Sequence, residues 1–479
     1  MKVETHSPNC QKIRQKKDYT NLYTSCLTIF SGNWNNALNA GAFQLNVNNT
    51  FSLSNVNVSC HLLFSTIDFF NTVNLHYPAT RQNIKNPVYL YSSTSERSGD
   101  GKHQGCCMKR HGDIFDKICT IENLREAHRN ARKDKLFYKE VKMVDQDPDT
   151  YLKEIQEMLL NEKYEVSEYT VSIINDKGKE RKLEKLPYFP DRIIQWAIML
   201  QIEPIFMETF CTHTCASIKD RGISRALDLL HGYLEDIPGT QYCLKIDVRK
   251  FYPSIDHDIL KQLLERKIKD KWLLSLLFKI VDSVPGTGVP IGSYLSQYLA
   301  NFYLAYFDHY LKEELHLKYV VRYMDDIIIL LDSKEQLHEV RKKMDEYLHT
   351  RLNLSLKDNW QVFPVDARGI DFIGFRCFHG YTLLRKRTCI KMKNIMRRIL
   401  KKQEAGLLIS YSEFCSANSY CGWLDMCDGH RLKEKYIAPI APSLMRYYEE
   451  IIADGKKNKV VKINKYRKKL EKKGLVKAA

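Results

Sequence analysis

Two aspartates stand side by side in Tyr323-Met324-Asp325-Asp326, between the apolar runs Tyr319-Val320-Val321 and Ile327-Ile328-Ile329-Leu330-Leu331. Ionised carboxylates at the tip of a hairpin of β-branched residues must be neutralised, and the usual neutraliser is a metal ion. A third carboxylate ends another apolar run, Tyr242-Cys243-Leu244-Lys245-Ile246-Asp247, with the aromatic Tyr252 five residues further on. Oxygen donors suit Mg²⁺, and three carboxylates on neighbouring strand ends can hold two ions for in-line phosphoryl transfer. Asp247, Asp325 and Asp326 are therefore the candidate catalytic set.

The rest of the chain must position them. At 479 residues it can bury a large core in two or three subdomains. The net charge of +17 is concentrated downstream: Arg385 to Lys402 holds nine basic residues and no acid, and Lys456 to Lys477 holds eleven and one Glu. Two such runs favour a polyanionic partner, here nucleic acid. The 14 cysteines show no paired zinc spacing, and no signal peptide or long apolar stretch occurs, so the expected setting is cytoplasmic with reduced thiols and no membrane.

A compositional boundary falls near residue 108. Before it, nine of the thirty residues from Ser31 to Cys60 are Asn, which suits neither amphipathic helix nor packed sheet. After it, helical spacing appears at Ile121–Arg132 and Thr150–Leu160, and a strand pair at Tyr164–Ile174 and Lys179–Pro187 turns on Asn175-Asp176-Lys177-Gly178. A long helix is expected from Asp191, as its N-cap, to about Phe210. The loop Ser217–Arg225 carries Lys219, Arg221 and Arg225, which could meet a triphosphate, with Gly222 allowing close backbone approach. The lysines after Gly455 show no apolar periodicity for a docked helix.

The order of motifs from Met108 to about Tyr447 resembles bacterial reverse transcriptases of the group II intron, retron and retroelement kind. Pro190–Gln195 through Glu203–Phe206 resembles the first conserved block, the Asp247 strand motif A, and Tyr323–Asp326 the YxDD of motif C. Gly369-Ile370-Asp371-Phe372-Ile373-Gly374-Phe375 resembles the primer grip. Where most such enzymes carry Gln-Gly-x-x-x-Ser-Pro, this chain reads Ile291-Gly292-Ser293-Tyr294-Leu295-Ser296-Gln297, the form of diversity-generating retroelement enzymes, which copy a template RNA with errors at adenines. The alternative is a reverse transcriptase of a retron or phage-defence system, bacterial or phage-encoded.

The resemblance implies an α+β right hand: fingers, a palm with an antiparallel sheet, and a helical thumb. The segments are 1–107 leader, 108–235 N-terminal region and fingers, 236–378 palm, 379–454 thumb and 455–479 basic tail. It also implies roles. Asp247 and Asp325 would bridge two Mg²⁺ ions (Mn²⁺ a possible substitute), with Asp326 in support and the Val248 carbonyl as a backbone ligand. Tyr252 would exclude a ribose 2′-hydroxyl, with Phe251 in the core. Lys219 and Arg221 would contact the incoming dNTP, and Gly292 and Gln297 would line the nucleotide and template pocket. Lys357 reads first as a solvated lysine and second as a proton donor to pyrophosphate. Expected partners are template RNA, the RNA–DNA hybrid, dNTPs and a small basic accessory protein. Because Asn codons are adenine-rich, the poorly structured leader reads as translated template repeat, with Met108 the expected true start and a genuine disordered extension the alternative.

Overall fold

The computed structural model describes residues 109–176, 179–291, 293–453 and 459–475. The Asn-rich leader, the expected start at Met108, the turn tip Lys177-Gly178 and Gly292 lie outside the described residues.

The chain begins with helices α1 (Phe115–Cys119), α2 (Ile121–Ala131), α3 (Lys139–Gln146) and α4 (Pro148–Leu160). Thr120 caps α2 by accepting from Asn123 N, and Asp147 caps α4 by accepting from Thr150 N. Each cap satisfies an amide that the first turn leaves open. An antiparallel hairpin follows, β1 (Thr170–Asp176) against β2 (Lys179–Lys185). Next, α5 (Ile193–Thr209) has no polar face and is buried along most of its length. Asp191 does not cap it. The chain enters through a wider turn, Tyr188–Arg192, which swings the carboxylate inward. There Asp191, wholly buried, accepts from the Tyr164 hydroxyl (2.8 Å) and the Ser167 amide (3.1 Å), joining the approach to β1 to the helix.

The central layer runs α6 (Ile223–Leu234), β3 (Tyr242–Asp247), α7 (His257–Lys267), α8 (Lys271–Asp282), α9 (Tyr294–Tyr303), α10 (Ala305–His309), β4 (Tyr319–Tyr323), β5 (Asp326–Leu331), α11 (Lys334–Leu352) and β6 (Gln361–Pro364). Its four strands pair in the order β4-β5-β3-β6, all antiparallel. Ile327 and Ile329 face a core shared with α5, α9 and α11, whereas Ile328 and Leu330 face a second core shared with α6 and the C-terminal helices. Both faces are covered, so β5 reads as an unbroken apolar run instead of an alternation.

A second antiparallel sheet, β7 (Ile370–Phe372), β8 (Phe375–Phe378) and β9 (Tyr381–Leu384), leads into α12 (Lys386–Glu404), α13 (Tyr411–Asp425), α14 (Ala441–Tyr447) and α15 (Lys459–Lys472). The basic α12 docks through Met392, Met396 and Ile399, and α13 opens with a capping box between Ser410 and Glu413. Contrary to the lack of apolar periodicity read from the sequence, the lysine-rich C-terminal segment forms a docked helix. Within α15, Tyr466 and Leu470 are buried, and Tyr466 stacks on Tyr448 with ring centroids 4.1 Å apart. Ile463, Tyr466 and Leu470 make an i, i+3, i+7 stripe that the intervening lysines obscure. The architecture is the expected α+β right hand, with an antiparallel sheet between mixed N-terminal and helical C-terminal parts.

Candidate active site

Strand register builds the site. β3 and β5 pair so that Asp247 lies opposite Asp326, and Tyr323 opposite Asp326 closes the β4–β5 hairpin over the two-residue turn Met324-Asp325. With both faces of β5 apolar, the two-residue turn is what pins the β4–β5 register. Val248 N donates to Asp325 O at 3.1 Å. In extended backbone a residue's carbonyl faces the same edge as its amide, so the Val248 carbonyl also points towards the turn.

Two lysines complete the cluster. Lys357 N donates to Asp247 O (2.9 Å), and Lys357 Nζ pairs with Asp247 Oδ1. Lys357, half-exposed, is therefore ion-paired as well as in reach of solvent. The short pairing of Val248 with Leu356 carries it to the end of β3. Lys245 Nζ lies 3.4 Å from Asp326 Oδ2 and donates to the Asp371 carbonyl. Burial, and then the Asp247 charge, push the Asp325 carboxyl well above the usual carboxylate range, with Lys357 opposing. Burial pushes Asp326 up to about 6 against the pull of Lys245.

These acids fit a divalent cation. Like charges crowd Asp247 and Asp325, and Asp326 Oδ1 is buried without a hydrogen-bond partner. Both are conditions that a divalent ion relieves, and an all-oxygen donor set selects Mg²⁺ or Mn²⁺. Among the described residues, no three His, Cys, Asp or Glu side chains converge into a closed metal cage. Mg²⁺ characteristically takes one or two carboxylates and completes its shell with water and substrate phosphates, so two converging aspartates suffice.

The other expected residues divide. Tyr252, on the turn after β3, is half-buried with Oη 3.6 Å from Met324 Sδ, and Phe251 beside it is core. Lys219 is exposed. Arg221 is turned inward, its Nη1 donating to Cys211 O (2.6 Å) and Thr214 O (3.1 Å), so it braces the loop from within. The carbonyls of the turn at 211–214 face the loop, and a guanidinium satisfies two of them at once. Ile291 is half-buried ahead of Ser293, which caps α9 and donates to Gln195 Oε1 at 2.7 Å; Gln297 is buried in the first turns of that helix. Beyond Asp371, an open groove of about 430 Å³ is lined by Arg376, Arg385, Lys386, Arg387 and Lys391.

Sequence reasoning missed Lys245 and Arg322 as site residues. Each is a lone cation within an apolar strand, a pattern that demands a buried acceptor without saying which.

Residues 174–377 match the family described as "Reverse transcriptase (RNA-dependent DNA polymerase)". The chain is 25% identical over 261 residues to Protein YkfC of Escherichia coli, covering 46% of this chain and 67% of that one. It is 22% identical over 275 residues to the group II intron-encoded protein LtrA of Lactococcus lactis, covering 42% of this chain and 45% of that protein. With a putative COX1/OXI3 intron 2 protein of Saccharomyces cerevisiae it shares 23% over 253 residues, only 29% of that protein. The chain thus spans about two thirds of the first relative and less than half of the other two. Among solved structures, apo telomerase from Candida tropicalis aligns with a TM-score of 0.37 at 12% identity, over 64% of this chain and 60% of that one. The stretch that aligns as a reverse transcriptase contains β3, the β4–β5 turn and all three aspartates: this chain carries a reverse transcriptase domain, homologous to those of group II intron-encoded proteins.

Proposed function

We propose that the protein is an RNA-directed DNA polymerase that adds dNTPs to a primer 3′-hydroxyl on an RNA template. The observation that carries this reading is the convergence of Asp247 and Asp325 at adjoining strand ends inside the matched domain. Divalent cations held there supply Lewis-acid activation of the hydroxyl and neutralise charge on the departing pyrophosphate. Asp247 and Asp325 hold and orient; Asp326, tied to Lys245, supports them from the strand behind. Lys357 balances Asp247 when the site lacks its ions and is placed to follow a charged leaving group once they bind. Tyr252 closes the nucleotide pocket where a 2′-hydroxyl would lie, and Lys219 faces solvent where a triphosphate can enter. The basic face of α12 follows the backbone of an RNA–DNA hybrid by shape and charge.

The finer reading is an error-prone enzyme of a diversity-generating retroelement, working with a small basic accessory protein. It is supported by the Ile291–Gln297 motif, where an aliphatic side chain replaces a hydrogen-bonding one beside the nascent pair, weakening geometric checking. The test is cDNA synthesis by the full chain on a heteropolymeric RNA with a DNA primer, dNTPs and Mg²⁺, with and without that partner. Sequenced products with errors concentrated at template adenines support the finer reading. Faithful cDNA leaves the polymerase and removes the diversifying role, whereas no cDNA under any condition removes both.

A further inference from the structure

Arg322 lies on β4, three residues before Asp325, and its side chain is wholly buried. Its guanidinium grips Asp308 on α10 with two parallel bonds, Nε at 2.7 Å and Nη2 at 2.6 Å, and Asp308 is equally buried. Asp308 also accepts from the Thr214 hydroxyl at 2.7 Å, and His213 Nε2 stands 3.5 Å away. The third arm, Nη1, donates to Asn301 Oδ1 (3.2 Å) and to the Met324 carbonyl (3.1 Å). Asn301 is on α9, one turn after Gln297, and its amide donates to Ala216 O at 2.8 Å. The Arg322 backbone pairs with the same segment, its N–H to His213 O (3.0 Å) and its carbonyl to Cys215 N (2.9 Å).

Packing alone does not call for this arrangement, since a buried ion pair is commonly replaceable by apolar residues of similar volume without loss of stability. The third arm points to its use. Met324 has φ 55°, a left-handed conformation in a turn position usually given to glycine, and Asp325 follows without a positive φ. Such a residue persists only when its surroundings over-determine it. The Met324 carbonyl belongs to the planar peptide whose nitrogen is that of Asp325, so fixing the carbonyl fixes the direction in which Asp325 leaves the turn. The same carbonyl clamp sits behind Met324, whose sulfur the Tyr252 hydroxyl touches.

We propose that Arg322 is a positioning residue for the reaction. Its fork on Asp308 and its bond to the Met324 carbonyl set the peptide plane that aims Asp325, and lock that turn to α9 and to the 213–216 segment leading to Lys219. The carboxylates and the elements on the nucleotide side are thereby held in one register. This rests on the reading of Asp325 as a catalytic carboxylate.

The test compares three full-chain variants with wild type on a poly(rA) template with an oligo(dT) primer, titrating Mg²⁺ and dTTP. Arg322→Lys keeps the charge beside Asp308 and loses the arm that reaches Met324. Arg322→Met/Asp308→Leu removes the pair together, which leaves no buried unpaired charge. Asp325→Asn removes the carboxylate itself. With Asp325→Asn inactive, the first two variants are expected to lose kcat on the order of a hundredfold, the scale of a 1 Å misplacement. Their Mg²⁺ midpoint should rise several-fold while template–primer affinity is unchanged. A purely structural role would instead lower the melting temperature and leave the Mg²⁺ midpoint and the rate per folded molecule at wild-type values, and that result overturns the proposal. If the double variant fails to fold, Arg322→Lys alone decides between the two outcomes. An active Asp325→Asn enzyme would overturn the underlying reading, a result distinguishable from the other two.

Discussion

Replacing Gly374 by alanine tests how the two sheets and the C-terminal helices are joined. Gly374 and Ile373 form the two-residue turn between β7 and β8, both with positive φ, 102° and 39°. That is the geometry of a primed hairpin turn, in which the second position favours glycine. An alanine Cβ would lie 2.4 Å from Trp423 Cζ3 and 2.8 Å from Cη2. Trp423 cannot simply move aside, because its ring stacks on Phe375 at 5.3 Å with planes 21° apart and is anchored on α13. Backbone strain at such a φ costs about 1–3 kcal/mol. Displacing the stacked pair forfeits about 0.5–1.5 kcal/mol more. Together these place Gly374→Ala at roughly 2–4 kcal/mol of destabilisation. Denaturant unfolding of Gly374→Ala, Trp423→Ala and the double variant measures it. The cycle should show the two changes coupled, the double variant recovering part of the clash and none of the backbone strain. Template–primer affinity should fall with the single Gly374→Ala variant, since the Gly374 carbonyl accepts from Arg385 N (3.0 Å) at the edge of the basic groove. Destabilisation below about 0.5 kcal/mol, with additive effects, would mean that the turn is unstrained and the Trp423 ring yields freely.

Three further outcomes follow from particular groups. Asp325→Asn should abolish cDNA synthesis and raise the melting temperature of the metal-free protein, because it removes a buried charge crowded by Asp247; Mg²⁺ should stabilise the wild type and not this variant in thermal-shift measurements. Tyr466→Ala should cost about 3 kcal/mol and speed amide exchange across α15 first, since the ring sits stacked between Tyr448 and the Asn418 side of α13. Asp270 accepts from Ile114 N (2.7 Å), Phe115 N (2.9 Å) and Leu273 N (3.1 Å); burial alone would raise its pKa, but these bonds hold it below the ordinary 3.8. A depressed carboxylate stabilises above its unfolded pKa and loses that contribution as pH falls through the folded value. The melting-temperature gap between wild type and Asp270→Asn should therefore be constant near neutrality and close below about pH 4.

The strands flanking the aspartates were legible in the sequence because unbroken β-branched runs leave no other burial, and α2 and α4 because their apolar spacing is helical. What stayed hidden is pairing between elements. Asp191 looked like a cap because Asp before a helix usually is one, and only the inward turn at Tyr188–Arg192 redirected it to Tyr164. The stripe on α15 was masked because Ile463, Tyr466 and Leu470 stand among seven basic residues in fourteen positions.

Charge pairing is the deepest case, and it bears on how the site works. Lys245, Arg322 and Lys357 are each a lone cation next to an apolar run, and each meets an aspartate far from it in sequence or on another element. Nothing local ties Lys357 to Asp247 across 110 positions; the link exists only because the Val248–Leu356 pairing brings the two strand ends together. The result is a graded set of acids. Asp308 is forked by Arg322 and held well below the usual carboxylate range, its burial outweighed by that guanidinium together with His213. Asp326 is half-compensated by Lys245, and Asp325 has only a cation shared with Asp247. Neutralisation thus decreases towards the turn. The carboxylate least balanced by the protein's own residues is the one at the tip of the hairpin, where an incoming divalent ion and a nucleotide triphosphate would complete what the fold leaves undone.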